Sequence, residues 1–527
     1  MLAEYPVGLA HPTRWAKRLA DYYQTISLPL KQLMLSCSTG SQNGAGLRES
    51  IIMTNAARCL RNCRRTGGLN EKPNDLPLSP MMALEELPGR LKACGGDCSR
   101  LEPVWRDALG WLLHSRQWSA RTVSLLRGFD GPQPVPDLPA ELARCLYRDE
   151  TVSISRLETF AGCPYSYFIT YGLKPEELKE YGFDSQDRGN FFHHVLQRYA
   201  ELACREESWP DISDERMDQL IEEAMAEDVA QWRDGPLGED ALACREAEKL
   251  RRVARVSAHA YTRQARENGF RSLGQELVFG EQSRDSLPPL RLQLQDGSEV
   301  LLRGKVDRVD VFRGQDGTLV RVIDYKSSSH TLDPERIWLG TQLQLLLYLQ
   351  AVSKGIPGAR PAGAFYFHVQ DPRITLESLP ENREKLREAV EKEFMKRMRL
   401  KGIVLSEVEV LGTMKAGEPD GELGSLVRKD GHVGSGSSSS AFTCSREDMD
   451  RLLEFEAERA AALAGKAFSG RIDAEPREGG NYSPCTYCRG VLPCPRDHSD
   501  PALVRQESKM APEELFGRLS ESRETQS

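Results

Sequence analysis

The stretch Val300–Lys326, VLLRGKVDRVDVFRGQDGTLVRVIDYK, decides the fold of this chain. Two runs rich in β-branched residues flank Arg313–Thr318, whose glycines and aspartate are typical of a tight turn. The stretch therefore predicts a β-hairpin. If the turn is centred between residues 315 and 316, Asp307 lies opposite Asp324, because both are equally far from that centre.

The predicted hairpin brings two carboxylates and a lysine together. Asp324 and Lys326 share a face of the second strand, since strand side chains alternate with a period of two. Adjacent carboxylates repel each other unless a cation lies between them, and oxygen ligands suit Mg²⁺ or Mn²⁺. Such a metal can polarise a phosphodiester, and a lysine can stabilise the charge that develops on phosphorus. The alternative is an exposed ion pair on an ordinary surface hairpin.

Other segments contain residues that could complete such a site. His193 lies in GNFFHH (189–194), which opens a predicted helix, at the edge of its apolar face. Glu276 lies between apolar residues of a predicted strand, where a carboxylate needs a partner. Gln344 and Tyr348 are four residues apart on another predicted helix and share a face. A structural histidine and an ordinary helix surface remain alternative interpretations.

The hydrophobic pattern predicts an α/β fold with a small mixed sheet flanked by helices. Helical periodicity covers 189–206, 212–232, 239–267, 376–400 and 446–468, and strand-like runs cover 273–279, 289–295, 299–312, 319–326 and 362–369.

Composition along the chain predicts its division into regions. Four prolines at 131–140 indicate a linker. We place it at 131–150, between a first region at 1–130 and a main domain at 151–500. We expect 434–440 to be a flexible loop and 501–527 to be a charged tail that frays.

Composition also excludes several classes of protein. The 527 residues carry 70 Lys and Arg against 78 Asp and Glu, a net charge of −8, so bulk attraction to nucleic acid is not expected. No apolar run reaches the roughly 18 residues of a membrane helix, and the N-terminus lacks the layout of a signal peptide. Thirteen cysteines without an export signal indicate the reducing cytoplasm rather than a disulfide framework.

Three cysteines are closely spaced near the end of the main domain. Cys485, Cys488 and Cys494 form C-x₂-C-x₅-C, and a four-ligand metal centre needs one more thiolate. Cys163, in ISRLETFAGCPYSYF, is the best remaining candidate. This set suits a [4Fe–4S] cluster better than zinc, which more often takes two CxxC pairs; zinc or free thiols remain alternatives. Two other pairs have no companion ligand and are interpreted as ordinary cysteines: Cys59 with Cys63, and Cys94 with Cys98.

Four motifs together resemble the RecB-type motif set of the PD-(D/E)xK nuclease superfamily. They are G-x-x-x-H at Gly189–His193, GKVDRVD at Gly304–Asp310, IDYK at Ile323–Lys326 and QLLLY at Gln344–Tyr348, and their order and spacing agree with that family. The resemblance implies that the metal ligands are His193, Asp307 and Asp324. It also implies that Lys326 is the catalytic lysine, that Glu276 is an active-site carboxylate, and that Gln344 and Tyr348 support the site or contact DNA.

The cysteine pattern resembles the iron–sulfur nuclease domain of AddB-type subunits of AddAB-type helicase–nucleases. The resemblance is strong over about 150–500 and weak over 22–52. It implies a [4Fe–4S] cluster held by Cys163, Cys485, Cys488 and Cys494, a single-stranded DNA end as substrate and an AddA-type motor subunit as partner. Region 1–130 is then expected to be a truncated remnant of a helicase-like region. Gly40–Gly46 lacks the lysine and hydroxyl of a P-loop, so ATP hydrolysis by this chain alone is not expected.

These observations predict a metal-dependent exonuclease of single-stranded DNA that serves a helicase–nuclease in double-strand-break repair and recombination. One alternative is a catalytically dispensable DNA-binding scaffold for a partner helicase, which the intact set Asp307, Asp324 and Lys326 disfavours. Another is a stand-alone end-processing nuclease of the CRISPR-associated type, which apparent inserts at 201–270 and 400–445 disfavour.

Overall fold

The structure is a computed structural model. It describes 79–128, 136–147, 151–175, 185–233, 241–376, 382–415, 422–424, 426 and 441–524, apart from short gaps at 282, 284–285, 315–316, 329, 479–482, 492, 497–504 and 507–508, and isolated residues between 20 and 58. The chain divides into two compact units, Met1–Phe129 and Asp130–Ser527. Among the described helices, none is both long enough and apolar enough to cross a lipid bilayer.

The described part of the first unit is helical. It contains α1 (Pro80–Ala93), α2 (Pro103–His114), α3 (Ser119–Arg127) and a 3₁₀ turn at Cys98–Arg100. Its own small core includes Leu87, Trp105 and Leu112. Its likeness to a helicase region stays a prediction. The thiols of Cys94 and Cys98 contact nearby backbone carbonyls, whereas Cys59 and Cys63 lie outside the described residues.

The second unit contains the remaining helices and strands. Its helices are α4 (Ala140–Tyr147), α5 (Ile154–Gly162), α6 (Pro164–Tyr167), α7 (Ser185–Ala203), α8 (Asp214–Arg233), α9 (Ala241–Glu267), α10 (Pro334–Leu339), α11 (Gln344–Gly355), α12 (Arg383–Arg397), α13 (Val408–Thr413), α14 (Arg446–Phe468) and α15 (Pro512–Glu524). Its strands are β1 (Thr151–Ser153), β2 (Arg271–Phe279), β3 (Leu290–Gln293), β4 (Glu299–Gly314), β5 (Gly317–Lys326), β6 (Ala359–His368), β7 (Lys401–Leu405), β8 (Ala441–Cys444), β9 (Arg477–Glu478) and β10 (Arg505–Gln506).

An eight-stranded mixed sheet forms the centre of the second unit. Its order is β1-β4-β5-β6-β7-β8, and β2 and β3 also pair with β4. Strands β1 and β4, β5 and β6, and β7 and β8 are parallel, and the other pairs are antiparallel. Helices pack against this sheet, which confirms the predicted α/β class.

The hairpin has the register that the sequence predicted. Arg308 pairs with Ile323 and Gly314 with Gly317, so Asp307 and Asp324 are the next opposite residues; positions 315 and 316 lie outside the described residues. On the same face as these two carboxylates, Val309 and Val322 are fully buried. The long strand β4 therefore supports the site from the middle of the sheet.

Four expectations about the chain were wrong. The second half of the proposed linker forms α4, because Ala143 and Tyr147 bury an apolar stripe. The stretch 400–445 is not a mere insert, since it supplies β7 and β8. The expected fraying tail contains α15, which buries Leu515 and Leu519. Gly189 lies inside α7 rather than at its start. The loop at 434–440 lies outside the described residues.

Candidate active site

Three side chains from three elements converge on the face of the sheet that carries Asp307. His193 comes from α7, Glu276 from β2 and Asp307 from β4, and their ligand atoms all lie within 4.8 Å of one another. His193 Nδ1 lies 3.1 Å from Asp307 Oδ1 and 3.9 Å from Glu276 Oε1. Although burial opposes its charged form, the two carboxylates raise the pKa of His193 to about 10. The His193 imidazole can therefore carry a positive charge between the carboxylates of Asp307 and Glu276.

The second carboxylate of the hairpin is paired with the lysine. Lys326 Nζ lies 2.5 Å from Asp324 Oδ2. Burial and the neighbouring Asp307 raise the pKa of Asp324 to about 7. Burial would lower the pKa of Lys326, but the carboxylates of Asp324, Asp307 and Glu158 outweigh it and raise that pKa. The lysine is therefore an ammonium ion at neutral pH. Asp324 belongs to this pair rather than to the compact group at His193.

Glu276 adopts an unusual backbone conformation. Its φ is +53°, in the left-handed region that residues with a Cβ rarely occupy. The neighbouring residues Gln275 and Leu277 still pair with β4, so the distortion is confined to Glu276. This conformation directs the carboxylate to His193 and to the ammonium of Lys305. Such strain persists where the surrounding structure fixes it, and it is common at functional sites.

Helix α11 packs against β4, β5 and β6. Gln344 Nε2 donates a hydrogen bond of 2.9 Å to the hydroxyl of Tyr348, as their spacing predicts. A Cβ on Gly304 would lie 2.6 Å from the Phe279 ring and 2.7 Å from the Tyr348 ring. Glycine at 304 is therefore required for Tyr348 to approach β4. One oxygen of Asp307 accepts a 2.7 Å hydrogen bond from the backbone N–H of Tyr325, which fixes that carboxylate.

One residue near the site was missed by sequence reasoning. Glu158 Oε1 accepts hydrogen bonds from the backbone N–H groups of Leu343, at 2.7 Å, and Gln344, at 2.8 Å. Its carboxylate also interacts electrostatically with Lys326. Its only sequence signal is its place in the segment that contains Cys163.

The four predicted cysteine ligands line one cavity, although one of them lies more than 300 residues before the others. We call Cys163, Cys485, Cys488 and Cys494 the cysteine cluster. The Tyr165 hydroxyl donates a 2.8 Å hydrogen bond to the carbonyl of Pro493 and holds the two segments together. Burial raises the pKa of Cys163 to about 11.

Hydrogen-bond donors are directed at two of these sulfurs. The backbone N–H of Gly490 lies 3.3 Å from Cys488 Sγ, and Arg496 Nη2 lies 3.7 Å from Cys485 Sγ. No described cysteine forms a disulfide. The Gly490 amide and the Arg496 guanidinium can each stabilise a thiolate, whereas burial raises the pKa of Cys163 and of Cys485.

Comparisons with known proteins agree with this geometry. Residues 151–495 match the family model of the PD-(D/E)XK nuclease superfamily. The chain is similar to proteins named as the B-type subunit of an ATP-dependent helicase/deoxyribonuclease. The Alkaliphilus oremlandii protein is 29% identical over 489 residues, covering 90% of this chain and 42% of the relative. The Moorella thermoacetica protein is 33% identical over 482 residues, covering 88% of this chain and 40% of the relative.

The chain thus spans about two fifths of the length of the curated relatives it matches. Both resemblances found in the sequence, to the nuclease superfamily and to the helicase–nuclease protein, are confirmed by these matches. The family match covers most of the second unit, including α7, the hairpin, α11 and the cysteine cluster. The chain belongs to the PD-(D/E)XK nuclease superfamily.

Proposed function

We propose that this chain is the nuclease module of a helicase–nuclease and hydrolyses single-stranded DNA from an end in a metal-dependent reaction. The observation that supports this most directly is the convergence of His193, Glu276 and Asp307 beside the Asp324–Lys326 pair. The names of the relatives, which join a helicase to a deoxyribonuclease, support the DNA substrate.

The donor set fits a divalent metal. Glu276, Asp307 and His193 offer two carboxylates and an imidazole within 4.8 Å of one another, a combination that suits Mn²⁺ or Mg²⁺. His193 and Lys305 neutralise the same carboxylates that such a cation would neutralise. By family resemblance Asp324 is a further ligand, on the opposite strand from Asp307. When bound, the metal polarises the phosphodiester and lowers the pKa of its water.

The other residues act through charge and position. Lys326 carries a positive charge next to Asp324, so it can donate a hydrogen bond to the negative oxygens of the reacting phosphate. The N–H of Tyr325 holds Asp307 in place. Gln344 and Tyr348, on α11, are hydrogen-bonded to each other, and the charges of Asp324 and Asp307 act on the Tyr348 hydroxyl. In this proposal Lys326 is the catalytic lysine and the pair on α11 is supporting.

The cysteine cluster is proposed to hold a [4Fe–4S] centre. A tetrahedral zinc ion with Zn–S bonds of about 2.3 Å would place its sulfurs about 3.8 Å apart. Within the described part of the chain, the only group of three or more ligand atoms that all lie within 4.8 Å of one another is the one at His193. Among any three of the four sulfurs, at least one pair is therefore more than 4.8 Å apart, which favours a larger centre. About four iron atoms and equal sulfide per anaerobically purified chain are expected; bound zinc without sulfide would contradict the proposal.

The proposed setting is a cytoplasmic heterodimer with an AddA-type motor subunit, which delivers single-stranded DNA during break repair and recombination. The similarity to the helicase/deoxyribonuclease proteins supports this partner. In this arrangement the motor subunit hydrolyses ATP, and the present chain cleaves the DNA strand.

A substrate comparison tests metal dependence and end dependence together. The chain is incubated with linear or circular single-stranded DNA, in Mg²⁺, in Mn²⁺ or in EDTA. Degradation of the linear strand alone, and only with a metal, is expected. Cleavage of the circular DNA would show that the activity is that of an endonuclease rather than an exonuclease. DNA binding without cutting in either metal would favour the scaffold alternative.

A further inference from the structure

Helix α5 lies between the nuclease site and the cysteine cluster. It spans nine residues, Ile154–Gly162, and Cys163 is its C-cap. The backbone N–H of Cys163 donates to the carbonyl of Thr159, so the helix stays regular up to the cluster. Glu158 lies five residues before Cys163, about 7.5 Å along the helix axis. The same short helix thus carries one group from each site.

Glu158 caps α11, the helix that carries Gln344 and Tyr348. Its Oε1 accepts hydrogen bonds from the N–H groups of Leu343 and Gln344, the first amides of α11. The N-cap residue Leu343 makes no side-chain hydrogen bond to the helix, so Glu158 supplies the cap from another part of the chain. A carboxylate at this position satisfies two amides and interacts favourably with the helix dipole.

This contact affects both the supporting pair on α11 and Lys326. Helix α11 begins with Gln344, which donates to the hydroxyl of Tyr348. The Glu158 carboxylate also acts electrostatically on Lys326, together with Asp324 and Asp307. A displacement of Glu158 would therefore move the start of α11 and change the charge around the lysine at the same time.

Helix α5 is closely packed against the rest of the domain. Leu157 and Phe160 are buried in the core, and the helix packs against α11 and α14. We therefore expect a shift at Cys163 to displace the whole helix, because closely packed helices move as bodies.

We propose that Glu158 is a positioning residue through which the cysteine cluster controls the nuclease site. Cys163 fixes the end of α5, and α5 fixes Glu158. Glu158 in turn fixes the first turn of α11 and interacts electrostatically with Lys326. The inference rests on the proposed function in that its kinetic readout is DNA cleavage.

Two variants at Glu158 separate positioning from simple stabilisation. Glu158→Ala is expected to lower kcat for single-stranded DNA by about tenfold to a hundredfold, with KM and iron content little changed. Glu158→Gln keeps an oxygen that can accept both amides, so it is expected to recover most of kcat. Glu141→Ala, at an exposed position of α4, is the control. Equal activity of the Ala and Gln variants would overturn the proposal.

Hydrogen exchange gives a readout that does not need activity. The amides of Leu343 and Gln344 are expected to exchange at least about tenfold faster in Glu158→Ala than in wild type. The same two amides are expected to lose protection when iron is removed by a chelator or by Cys163→Ser, while amides in the middle of β5 stay protected. Unchanged protection on iron removal would overturn the link between the two sites. If wild type cuts no DNA, the proposed function fails, yet this measurement still decides the link.

Discussion

At the scale of single residues, Glu276 combines a strained backbone with a carboxylate of the candidate site. A residue with a Cβ at φ +53° costs roughly 1–2 kcal/mol. Glycine would avoid this cost, but it has no carboxylate. The chain therefore accepts local strain in order to direct a carboxylate at His193 and Lys305.

Two substitutions at this position test that interpretation. Both Glu276→Gly and Glu276→Ala are expected to abolish metal-dependent cleavage, because both remove the carboxylate. Glu276→Gly is expected to be more stable than Glu276→Ala by about 1 kcal/mol in urea unfolding, since only glycine relieves the left-handed conformation. Equal stability of the two variants would show that the backbone there is not strained.

The positions of some residues of the candidate site could be predicted from the sequence, and those of others could not. Asp307, Asp324 and Lys326 follow from strand alternation about a recognisable turn, and Gln344 and Tyr348 follow from helix spacing. Glu158 binds backbone amides 185 positions later in the chain, and no local pattern encodes such a contact. Gly304 likewise owes its importance to two rings that come from other elements.

At the scale of secondary structure, a buried ionic network fixes β4, β5 and a later loop behind the site. Arg321, on β5, is fully buried and contacts Asp310 Oδ2 at 2.9 Å and Glu422 Oε1 at 2.5 Å. Arg308 contacts the other oxygen of Asp310 at 2.7 Å. Removing one member of such a network leaves buried charge uncompensated.

The network leads to a stability prediction. Arg321→Ala is expected to lower the free energy of unfolding by about 3–5 kcal/mol. Arg397→Ala, which removes an exposed arginine that pairs with Glu393 on α12, is expected to cost less than about 1 kcal/mol. Denaturant unfolding of both variants measures the difference. If both variants lost a similarly small free energy of unfolding, the buried network would not be holding the strands together.

Helices and strands were predicted correctly where the hydrophobic pattern extends over many residues. The helices now called α7, α8, α9, α12 and α14, and the strands β2 to β6, were anticipated to within a few residues at most ends. The short strands β7 and β8 were missed because four or five residues carry too little alternation to stand out. Helix α15 was missed because its two buried leucines lie among charged residues.

At the scale of the whole molecule, the cysteine cluster connects the start of the nuclease domain with its end. Cys163 follows α5, whereas Cys485, Cys488 and Cys494 come after α14. A bound centre closes a very long loop and so restricts the unfolded chain. The cluster is therefore expected to contribute to folding as well as to the position of α5.

Loss of one ligand tests this contribution. Cys163→Ser is expected to lower the free energy of unfolding of the anaerobically purified protein by about 3–5 kcal/mol, because the closed loop is lost. Cys145→Ser, at an exposed position of α4, is expected to change it by less than about 0.5 kcal/mol. If iron is lost from Cys163→Ser without a change in stability, the cluster does not staple the domain.

The central claim is that Lys326 and its neighbouring carboxylates hydrolyse DNA. The most direct measurement is Mg²⁺-dependent degradation of end-labelled single-stranded DNA by wild type, by Lys326→Ala and by Lys354→Ala, an exposed lysine of α11 that serves as control. Wild type and Lys354→Ala are predicted to degrade the strand, and Lys326→Ala to do so at least about 100-fold more slowly while still binding DNA. Equal cutting by Lys326→Ala, or no cutting by wild type with its cluster intact and DNA bound, would contradict the account.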